Sequence, residues 1–400
     1  MHILFISSFF SESGEQSYMC SDLVDALSQR GHYVAVAATA SEQMDGLYTL
    51  DEKRNIAICR ISGGKTGKGG LPRRAIADIT FNKKLTKAVK EAFPKERFDL
   101  IYYDAPPVTV SKPLLELKRY YGARLYVFVR EIFPQTACDI GMLSEKSMAY
   151  RYLLKKQKML LTAADTLGVA SKGAKRFLSV AYRFLDRGKI EIFPFTKSLK
   201  TKEKTARPSP RKKFGIPAKA VVFFFAGAAG KQQDAKFICD ALERLSGLKD
   251  TYFVFSGHGS KAEYISGRLH SCKNVIFADK MSRAETERFA AESDVGVVTL
   301  DYRFRAPYWQ ETAVTYMENR LPVLAATDPA TDFRNLLKDN HCGLWCASND
   351  IFTFCNLIKT LAQDEQLREK LGENAFLYAQ ERLDVSVSVR LLEEKAPEKQ

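Results

Sequence analysis

The sequence lacks the patterns that mark several common classes of protein. Its eight cysteines include no Cys-x-x-Cys pair, and its five histidines form no cluster with zinc-ligand spacing. Cys342 and Cys346 lie near His341, but too few further ligands surround them for a metal site. No apolar run reaches the roughly 18 residues of a membrane-spanning helix, and the chain begins directly in a strand with no leader peptide. These absences predict a reduced cytoplasmic protein without a metal, neither secreted nor integral to a membrane.

The chain has fewer acidic than basic residues. The chain has 47 acidic and 61 basic residues, which gives a formal net charge of +14. This balance favours an anionic partner: nucleic acid, a membrane surface or a phosphorylated substrate. Nucleic-acid binding needs basic residues interleaved with stacking aromatics, or a recognition helix. The aromatic residues here fall mainly inside predicted strands, as in VVFFFAGA and TYFVFSGHG, so we interpret them as core and exclude nucleic acid.

Residues 63–75, GGKTGKGGLPRRA, form a basic segment rich in glycine. Loops of this composition are mobile, and their lysine and arginine side chains suit phosphate head groups. The segment therefore predicts peripheral attachment to an anionic membrane surface, at the inner face of the cytoplasmic membrane. The alternative is a solvated loop with no partner.

The length of 400 residues fits two domains, and strand and helix patterns alternate along both halves. Such alternation predicts α/β architecture with a parallel doubly wound sheet in each half. We predict a Rossmann-like lobe over residues 1–196, a basic, proline-containing linker over 197–213 and a second Rossmann-like lobe over 214–383, the two facing an interdomain cleft. A C-terminal helix over about 384–400 is expected to pack back on the first lobe.

The spacing of apolar residues and the turn-forming residues predict where the individual strands and helices lie. The main predictions for the first lobe are strands at 1–10, 32–40, 56–61, 100–103 and 124–129, and helices at 17–30, 81–93, 111–121 and 148–163. The second lobe repeats the alternation from VVFFFAGA onwards, and no short-period repeat is present.

A buried strand in the second half ends at Gly227 and turns through Gly230 and Lys231 into a predicted amphipathic helix. A helix N-terminus presents unpaired N–H groups and positive charge, and glycines let a phosphate approach the backbone. The turn is neither a Walker loop, which ends in Gly-Lys-Ser/Thr, nor a Gly-x-Gly-x-x-Gly fingerprint. It predicts a site for a pyrophosphate; the alternative is an ordinary strand-to-helix turn.

Two further loops follow the next two predicted strands. One contains Gly257, His258 and Gly259, and the other contains Lys280. Ligands of open parallel sheets bind beyond the carboxyl ends of the strands, so these loops are expected to line one nucleotide pocket with the first turn. For the two glycines a tight turn, and for His258 simple solvation, are the alternatives.

Several ordered motifs resemble one family. The second half has Gly-x-x-Gly-Lys-x-Gln, Ser-Gly-His-Gly, NVIFADKMSRAETERFAAESDVGVV and TYMENRLPVLAAT in this order. It is similar to the nucleotide-binding lobe of family 4 glycosyltransferases with the GT-B fold. VFVREIFPQTACDIGML and KMLLTAADTLGVASKGAKRFL resemble the branch that builds bacterial surface polysaccharides. The resemblance implies a nucleotide-sugar donor on the second lobe, an acceptor on the first, retention of anomeric configuration, and no cofactor or metal.

Glycosyl transfer from a nucleoside diphosphate needs positive charge against the leaving diphosphate. No Asp-x-Asp pair of the metal-dependent type is present. Lys231 is the predicted electrophile, with Arg130 or Arg305 as a second charge. A solvated lysine in the first turn of the helix is the alternative for Lys231, but that position is unfavourable against the helix dipole.

The sequence departs from the family at its usual pair of glutamates, which contact the donor sugar and ribose. Alignment through the Pro of TYMENRLPV puts Pro307 and Thr315 at those positions. Glu311 lies in the same region and is predicted to approach the donor, with Thr315 beside it. Glu318 is expected to be a solvated helix residue.

Candidate residues of the first lobe follow its strands. Gly14 and Glu15 occupy the loop after the first strand, where the family places a glycine pair beneath the donor phosphates; an N-terminal glutamate favoured by the dipole is the alternative for Glu15. Arg130 and Glu131 end a buried strand and are predicted site residues rather than a simple salt bridge. Asp104 is predicted to be a base or, equally, a capping carboxylate.

These inferences predict a retaining, metal-independent glycosyltransferase. It would move a sugar from a nucleotide sugar, a UDP-sugar in particular, to a polyprenyl-diphosphate-linked or glycan acceptor in surface-polysaccharide assembly. The replaced glutamates leave one alternative, a non-catalytic GT-B partner that binds nucleotide sugar. A sugar-nucleotide epimerase would need a cluster of acid and base groups that five dispersed histidines do not supply.

Overall fold

The computed structural model describes residues 1–14, 17–40, 46–53, 55–62, 71–199, 210–227, 229–257, 259–278 and 281–396, with only the backbone of residues 53 and 71–79. Within this part the chain forms two units, residues 1–198 with 385–400, and residues 199–384. All eight cysteines are free thiols. No helix among the described residues has the length and apolar character needed to cross a bilayer.

The first unit is built on a sheet of eight strands among the described residues, in the order β3-β4-β2-β1-β5-β6-β7-β8. Its strands are β1 (His2–Ser7), β2 (Tyr33–Thr39), β3 (Tyr48–Lys53), β4 (Ile56–Ile61), β5 (Leu100–Ala105), β6 (Arg124–Val129), β7 (Thr166–Val169) and β8 (Ile190–Ile192). Its helices are α1 (Tyr18–Gln29), α2 (Leu71–Ala92), α3 (Ser111–Tyr121), α4 (Gln135–Asp139), α5 (Met148–Ala163) and α6 (Lys172–Ala181). Strands β1, β2, β5 and β6 are nearly continuous apolar runs because both faces of a doubly wound sheet are covered.

The second unit has a parallel sheet of six strands in its described part, in the order β11-β10-β9-β12-β13-β14. Helices and strands alternate along the chain as α7 (Pro210–Lys213), β9 (Val221–Ala226), α8 (Ala235–Arg244), β10 (Thr251–Ser256), α9 (Ala262–Leu269), β11 (Val275–Ala278), α10 (Arg283–Ala291), β12 (Val295–Thr299), α11 (Thr312–Glu318), β13 (Val323–Thr327), α12 (Phe333–Asp339), β14 (Gly343–Ala347), α13 (Ile351–Gln363) and α14 (Glu365–Arg382). Phe223, Phe224 and Phe253 are fully buried, so the aromatic residues of these strands are core, as predicted.

Strand β3 is one of the elements that the sequence analysis missed. Its sequence, YTLDEK, pairs antiparallel with β4 at the edge of the first sheet, with Leu50 opposite Cys59. An edge strand tolerates charged side chains because one side of it is not paired with another strand. The sheet is therefore mixed at this edge and parallel elsewhere.

The last helix, α15 (Val385–Glu393), belongs to the first unit and packs against α1. The Val385 N–H donates to the Lys197 carbonyl at 2.9 Å, and Glu393 bonds Arg30 and His32, each at 2.9 Å. Burial alone raises the pKa of the Glu393 carboxyl, but the bonds from His32 and Arg30 outweigh it and lower that pKa. Lys197, which the sequence analysis placed in the linker, is fully buried. Residues 200–209 of the predicted linker lie outside the described residues.

Candidate functional site

The turn after β9 is held by the neighbouring strand β10. Gly227 has a φ of +111°, a conformation that favours glycine, and its N–H donates to the Ser256 carbonyl at 3.0 Å. The Lys261 N–H donates to the Ala229 carbonyl at 2.9 Å. A Cβ on Gly259 would lie 2.3 Å from the same carbonyl oxygen, so only glycine allows the two loops to approach this closely. Two of the three predicted donor loops therefore meet.

The structure corrects the position of Lys231 relative to the helix. Helix α8 begins only at Ala235, because the Asp234 side chain caps it by accepting the Phe237 N–H at 3.1 Å. Lys231 thus lies four residues before the helix rather than in its first turn. Its side chain is exposed, and it forms no ion pair with any described residue. Gly230 donates its N–H to the Gln233 side chain at 2.8 Å, which closes the turn.

The loop after β12 also reaches this turn. Asp301, 5% exposed, donates its N–H to the Gln232 carbonyl at 2.8 Å and pairs through its carboxylate with Arg303 at 2.6 Å. Arg303 donates to both carboxylate oxygens of Asp301, from Nε at 2.9 Å and from Nη2 at 2.6 Å. This pair was not predicted from the sequence, although an Asp-x-Arg just beyond the end of a buried strand is a signal that would have found it.

Helix α11 is tied to the end of β9 by a buried tyrosine. The Tyr316 hydroxyl accepts the Ala226 N–H at 2.7 Å and donates to the Val297 carbonyl at 3.3 Å. Gly296 leaves room for the ring, since a Cβ there would lie 2.1 Å from it. Thr312, one turn earlier, comes within 3.4 Å of a Cβ built on Gly227. The start of α11 therefore borders the Gly227–Lys231 turn.

The residues at the family's glutamate positions are both buried. Pro307 is buried in the loop, and Thr315 has no exposed surface, so it offers no atom to a donor in solution. The Thr315 hydroxyl has no hydrogen-bond partner among the described residues. Glu311, directly before α11, is half-buried and lies next to Thr312. Glu318 is 8% exposed, so its prediction as a solvated residue is wrong; α11 turns it inward.

The remaining predicted donor residues are not among those whose contacts are given above. Gly257 has a φ of +131° and begins the loop after β10. Arg305 is exposed in the loop after β12. Glu15, His258 and Lys280 lie outside the described residues, as do residues 63–70 and the side chains of residues 71–75 of the basic segment.

A buried aspartate fastens the loop after β12 to the end of β13. Asp328 accepts the N–H groups of Ala330 and Thr331 at 2.9 and 2.7 Å and the Thr331 hydroxyl at 2.9 Å. The Tyr308 N–H in turn donates to the Thr331 hydroxyl oxygen at 3.0 Å. Burial raises the pKa of Asp328 to about 6, although these hydrogen bonds lower it in part.

This raised pKa gives a pH-dependent stability that Asp328→Asn is expected to remove. The unfolded chain releases the Asp328 proton near pH 4 and the folded chain near pH 6, so the free energy of unfolding falls as pH rises between them. Asparagine keeps an oxygen for the two backbone donors without the buried charge. The free energy of unfolding of the variant minus that of wild type should therefore be higher at pH 7 than at pH 4, by on the order of 2 kcal/mol. Urea unfolding of both proteins at the two pH values measures this, and an equal wild-type-to-variant difference at both would contradict it.

The first unit has its own cluster at the carboxyl ends of β1, β5 and β6. Arg130 donates to both carboxylate oxygens of Asp104, from Nε at 3.0 Å and from Nη2 at 2.8 Å. It also donates to the Ser17 hydroxyl at 3.1 Å and lies 5.0 Å from the ring centres of Phe9 and Phe195. The guanidinium is 13% exposed and the carboxylate not at all.

The carboxylate of Asp104 is buried and caps no helix of the described residues. Its carboxylate is inaccessible and is bonded by Arg130, by the Cys20 thiol at 3.1 Å and by the Ser7 hydroxyl at 3.4 Å. Burial, with the negative charge of Asp104 in second place, raises the pKa of the Cys20 thiol, so it stays protonated at neutral pH. Ser17 in turn caps α1 by accepting the Cys20 N–H. The pair carries no net charge, which weakens Arg130 as a second electrophile.

The remaining predicted residues of the first unit are close to this cluster along the chain. Glu131 is partly exposed and accepts the Thr136 hydroxyl; burial raises the pKa of its carboxyl, against the effects of Thr136 and Arg130. Gly14 is buried in a tight turn with a φ of +69° and donates its N–H to the Ser11 carbonyl at 3.0 Å. Among the described residues no group of three or more His, Cys, Asp or Glu is arranged to hold a metal ion.

Most of the second unit is similar in sequence to a family of glycosyltransferases. Residues 206–377 match the family model described as Glycosyl transferases group 1, and this span includes the Gly227–Lys231 turn and α11. A similar protein is the probable glycosyltransferase WbjE of Pseudomonas aeruginosa. It is 23% identical over 310 residues, which cover 75% of this chain and 74% of WbjE.

Solved structures share the fold over almost the whole chain. Sucrose-phosphate synthase from Thermosynechococcus elongatus has a TM-score of 0.77 at 14% identity and covers 98% of this chain and 97% of its own. WaaG, a glycosyltransferase involved in lipopolysaccharide biosynthesis, has a TM-score of 0.70 at 15% identity, covering 99% and 100%. Anabaena HepE, solved in complex with UDP-glucose, has 0.70 at 16%, covering 98% of both chains. The prediction of GT-B architecture is confirmed.

Proposed function

We propose that this chain is a glycosyltransferase that transfers a sugar from a UDP-sugar to a lipid-linked or glycan acceptor of a cell-surface polysaccharide, a proposal supported by the group 1 match and the GT-B fold. The second unit holds the donor and the first unit the acceptor. Transfer retains the anomeric configuration and requires no metal. The similarity to WbjE and WaaG supports a role in surface-polysaccharide assembly. The UDP-glucose complex of HepE supports a UDP-sugar as the donor.

The observation that carries the proposal is the exposed, unpaired Lys231 on a turn to which three strand ends contribute. Breaking the bond from the anomeric carbon to the phosphate oxygen leaves the electron pair, and negative charge, on the departing diphosphate. An ammonium beside that oxygen stabilises the charge more in the transition state than in the ground state. Lys231 thereby supplies the positive charge that a divalent ion supplies in metal-dependent transferases. The acceptor hydroxyl oxygen forms the new bond to the anomeric carbon, and its proton passes to the departing diphosphate oxygen.

A thermal-shift panel of nucleotide sugars tests donor binding. Because a ligand that binds only the folded state stabilises it by mass action, UDP-glucose at 100 times its Kd should add about 2.7 kcal/mol to the free energy of unfolding. We expect UDP-sugars to raise the melting temperature equally with and without EDTA. No shift with any nucleotide sugar would contradict the proposal, and a shift that EDTA abolishes would contradict its metal-independent form.

The replaced glutamates favour one second candidate, a partner that binds nucleotide sugar without turning it over. Pro307 and the fully buried Thr315 provide no carboxylate for the donor. Incubation with a radiolabelled UDP-sugar and bacterial membranes separates the two candidates. Donor binding with transfer to a lipid fraction favours the enzyme, whereas donor binding without any release of UDP favours the partner.

A further inference from the structure

Helix α5 presents a surface that the proposed transfer does not use. Successive residues of an α-helix lie about 100° apart, so Met148, Arg151, Tyr152, Lys155 and Lys158 share one face about 120° wide. We call these five residues the α5 face. All five are exposed, including 85% of Met148 and 52% of Tyr152. The opposite face, with Gln157, Leu160 and Leu161, is buried against the first unit.

The charge of this helix is of one sign. Its 16 residues, MAYRYLLKKQKMLLTA, contain four basic and no acidic residues. Arg151, Lys155 and Lys158 form no ion pair with any described residue. Lys156 stands beside the face, with its ammonium 5.4 Å from the Tyr152 ring centre. Burial, followed by the positive charges of Lys112 and Lys155, lowers the pKa of Lys156. The cluster therefore repels itself, and an anionic partner would relieve that repulsion.

The combination of charge and apolar side chains decides which anionic partner fits. A helix with basic residues beside exposed apolar ones lies in the plane of a membrane interface, where lysine and arginine meet the head groups and the apolar side chains enter the acyl boundary. Exposed methionine has no comparable use against a phosphate backbone, and the two exposed apolar groups lie at one end of the face. These features favour a lipid bilayer over nucleic acid.

We propose that the α5 face docks the protein on an anionic membrane surface, with Arg151, Lys155 and Lys158 on the lipid phosphates and Met148 and Tyr152 inserted. This inference rests on the proposed function in one respect: membrane binding would bring the protein to a lipid-linked acceptor. Binding to the bilayer itself needs neither donor nor acceptor. It also differs from the prediction based on residues 63–75, because it assigns attachment to a described helix.

Flotation with vesicles tests this surface on the whole chain. We expect wild type to float with phosphatidylcholine vesicles that contain phosphatidylglycerol, and not with pure phosphatidylcholine. Each basic residue near an anionic surface contributes about fivefold in affinity, so Arg151→Glu/Lys155→Glu/Lys158→Glu should weaken binding by on the order of a hundredfold or more. Met148→Ser/Tyr152→Ser should weaken it even at high salt, where the charges are screened.

The matched control carries the same change in net charge elsewhere. Lys219→Glu/Lys249→Glu/Lys273→Glu alters three exposed lysines of the second unit and should retain most of the binding. An equal loss of vesicle binding in both triple variants would show that net charge alone causes binding, and would overturn the proposal. Vesicle binding of the α5 variant at the wild-type level would also overturn it. So would tighter binding of wild type to DNA than to vesicles. The UDP-sugar thermal shift without vesicles should be unchanged in the α5 variant. A missing shift in wild type would count against the proposed function and leave the flotation result intact.

Discussion

Arg130→Met is expected to lower the free energy of unfolding of the first unit by about 3–5 kcal/mol. The substitution leaves the carboxylate of Asp104, which has no exposed surface, without its bidentate partner. Methionine has a similar length and keeps apolar contact with Phe9 and Phe195, so the lost charge pair dominates the effect. Hydrogen exchange of the amides of β1, β5 and β6 measures this stability within the first unit.

The double variant Arg130→Met/Asp104→Asn tests whether the loss of stability comes from the broken charge pair or from other contacts of Arg130. Removing both charges avoids an uncompensated buried carboxylate, and asparagine can still accept from Cys20 or Ser7, so we expect at least half of the loss to be recovered. The control Arg119→Met removes an exposed arginine of the same unit and should stay within about 0.5 kcal/mol of wild type. If the single and double variants are equally destabilised, the charge pair is not the cause.

The sequence predicts elements well where periodicity and burial agree. Helix α5 spans Met148–Ala163 and strand β6 spans Arg124–Val129, both with the predicted bounds. Buried parallel strands are apolar throughout, and helices show a period of 3.6, so each pattern is visible without tertiary information. Strand β3 gave no such signal because YTLDEK is half exposed at a sheet edge, where charged side chains are tolerated.

The site was harder to predict because its contacts join distant parts of the chain. The ends of β9 and β10 were expected to meet, since parallel strands share one carboxyl edge, and they do. The pairing of Arg130 with Asp104, 26 residues apart, and the anchoring of Tyr316 on Ala226, 90 residues apart, depend on side-chain direction that sequence does not reveal. The predicted start of α8 was wrong for a local reason. The Asp234 side chain caps the helix, so α8 begins after Asp234 and Lys231 lies before it.

Lys231→Ala should lower kcat for transfer from a UDP-sugar by about 100- to 1000-fold, the usual effect of removing one preorganised group that stabilises developing negative charge. The structure strengthens this expectation, because Lys231 is exposed and unpaired within the described residues while Arg130 is neutralised by Asp104. Charge on the diphosphate grows as the glycosidic bond breaks, so KM for the donor should change much less than kcat. Steady-state release of UDP in the presence of acceptor measures both.

The other end of the same strand offers the matched control. Lys219 is an exposed lysine just before β9, whereas Lys231 follows it, so Lys219→Ala removes the same charge from the opposite edge of the sheet and should leave kcat unchanged. Lys231→Arg retains the charge with a different donor geometry and should recover part of the loss. A Lys231→Ala enzyme within threefold of wild type in kcat would contradict the role of electrophile. An increase in KM alone would instead assign Lys231 to donor binding, since the ammonium would then stabilise the ground and transition states equally.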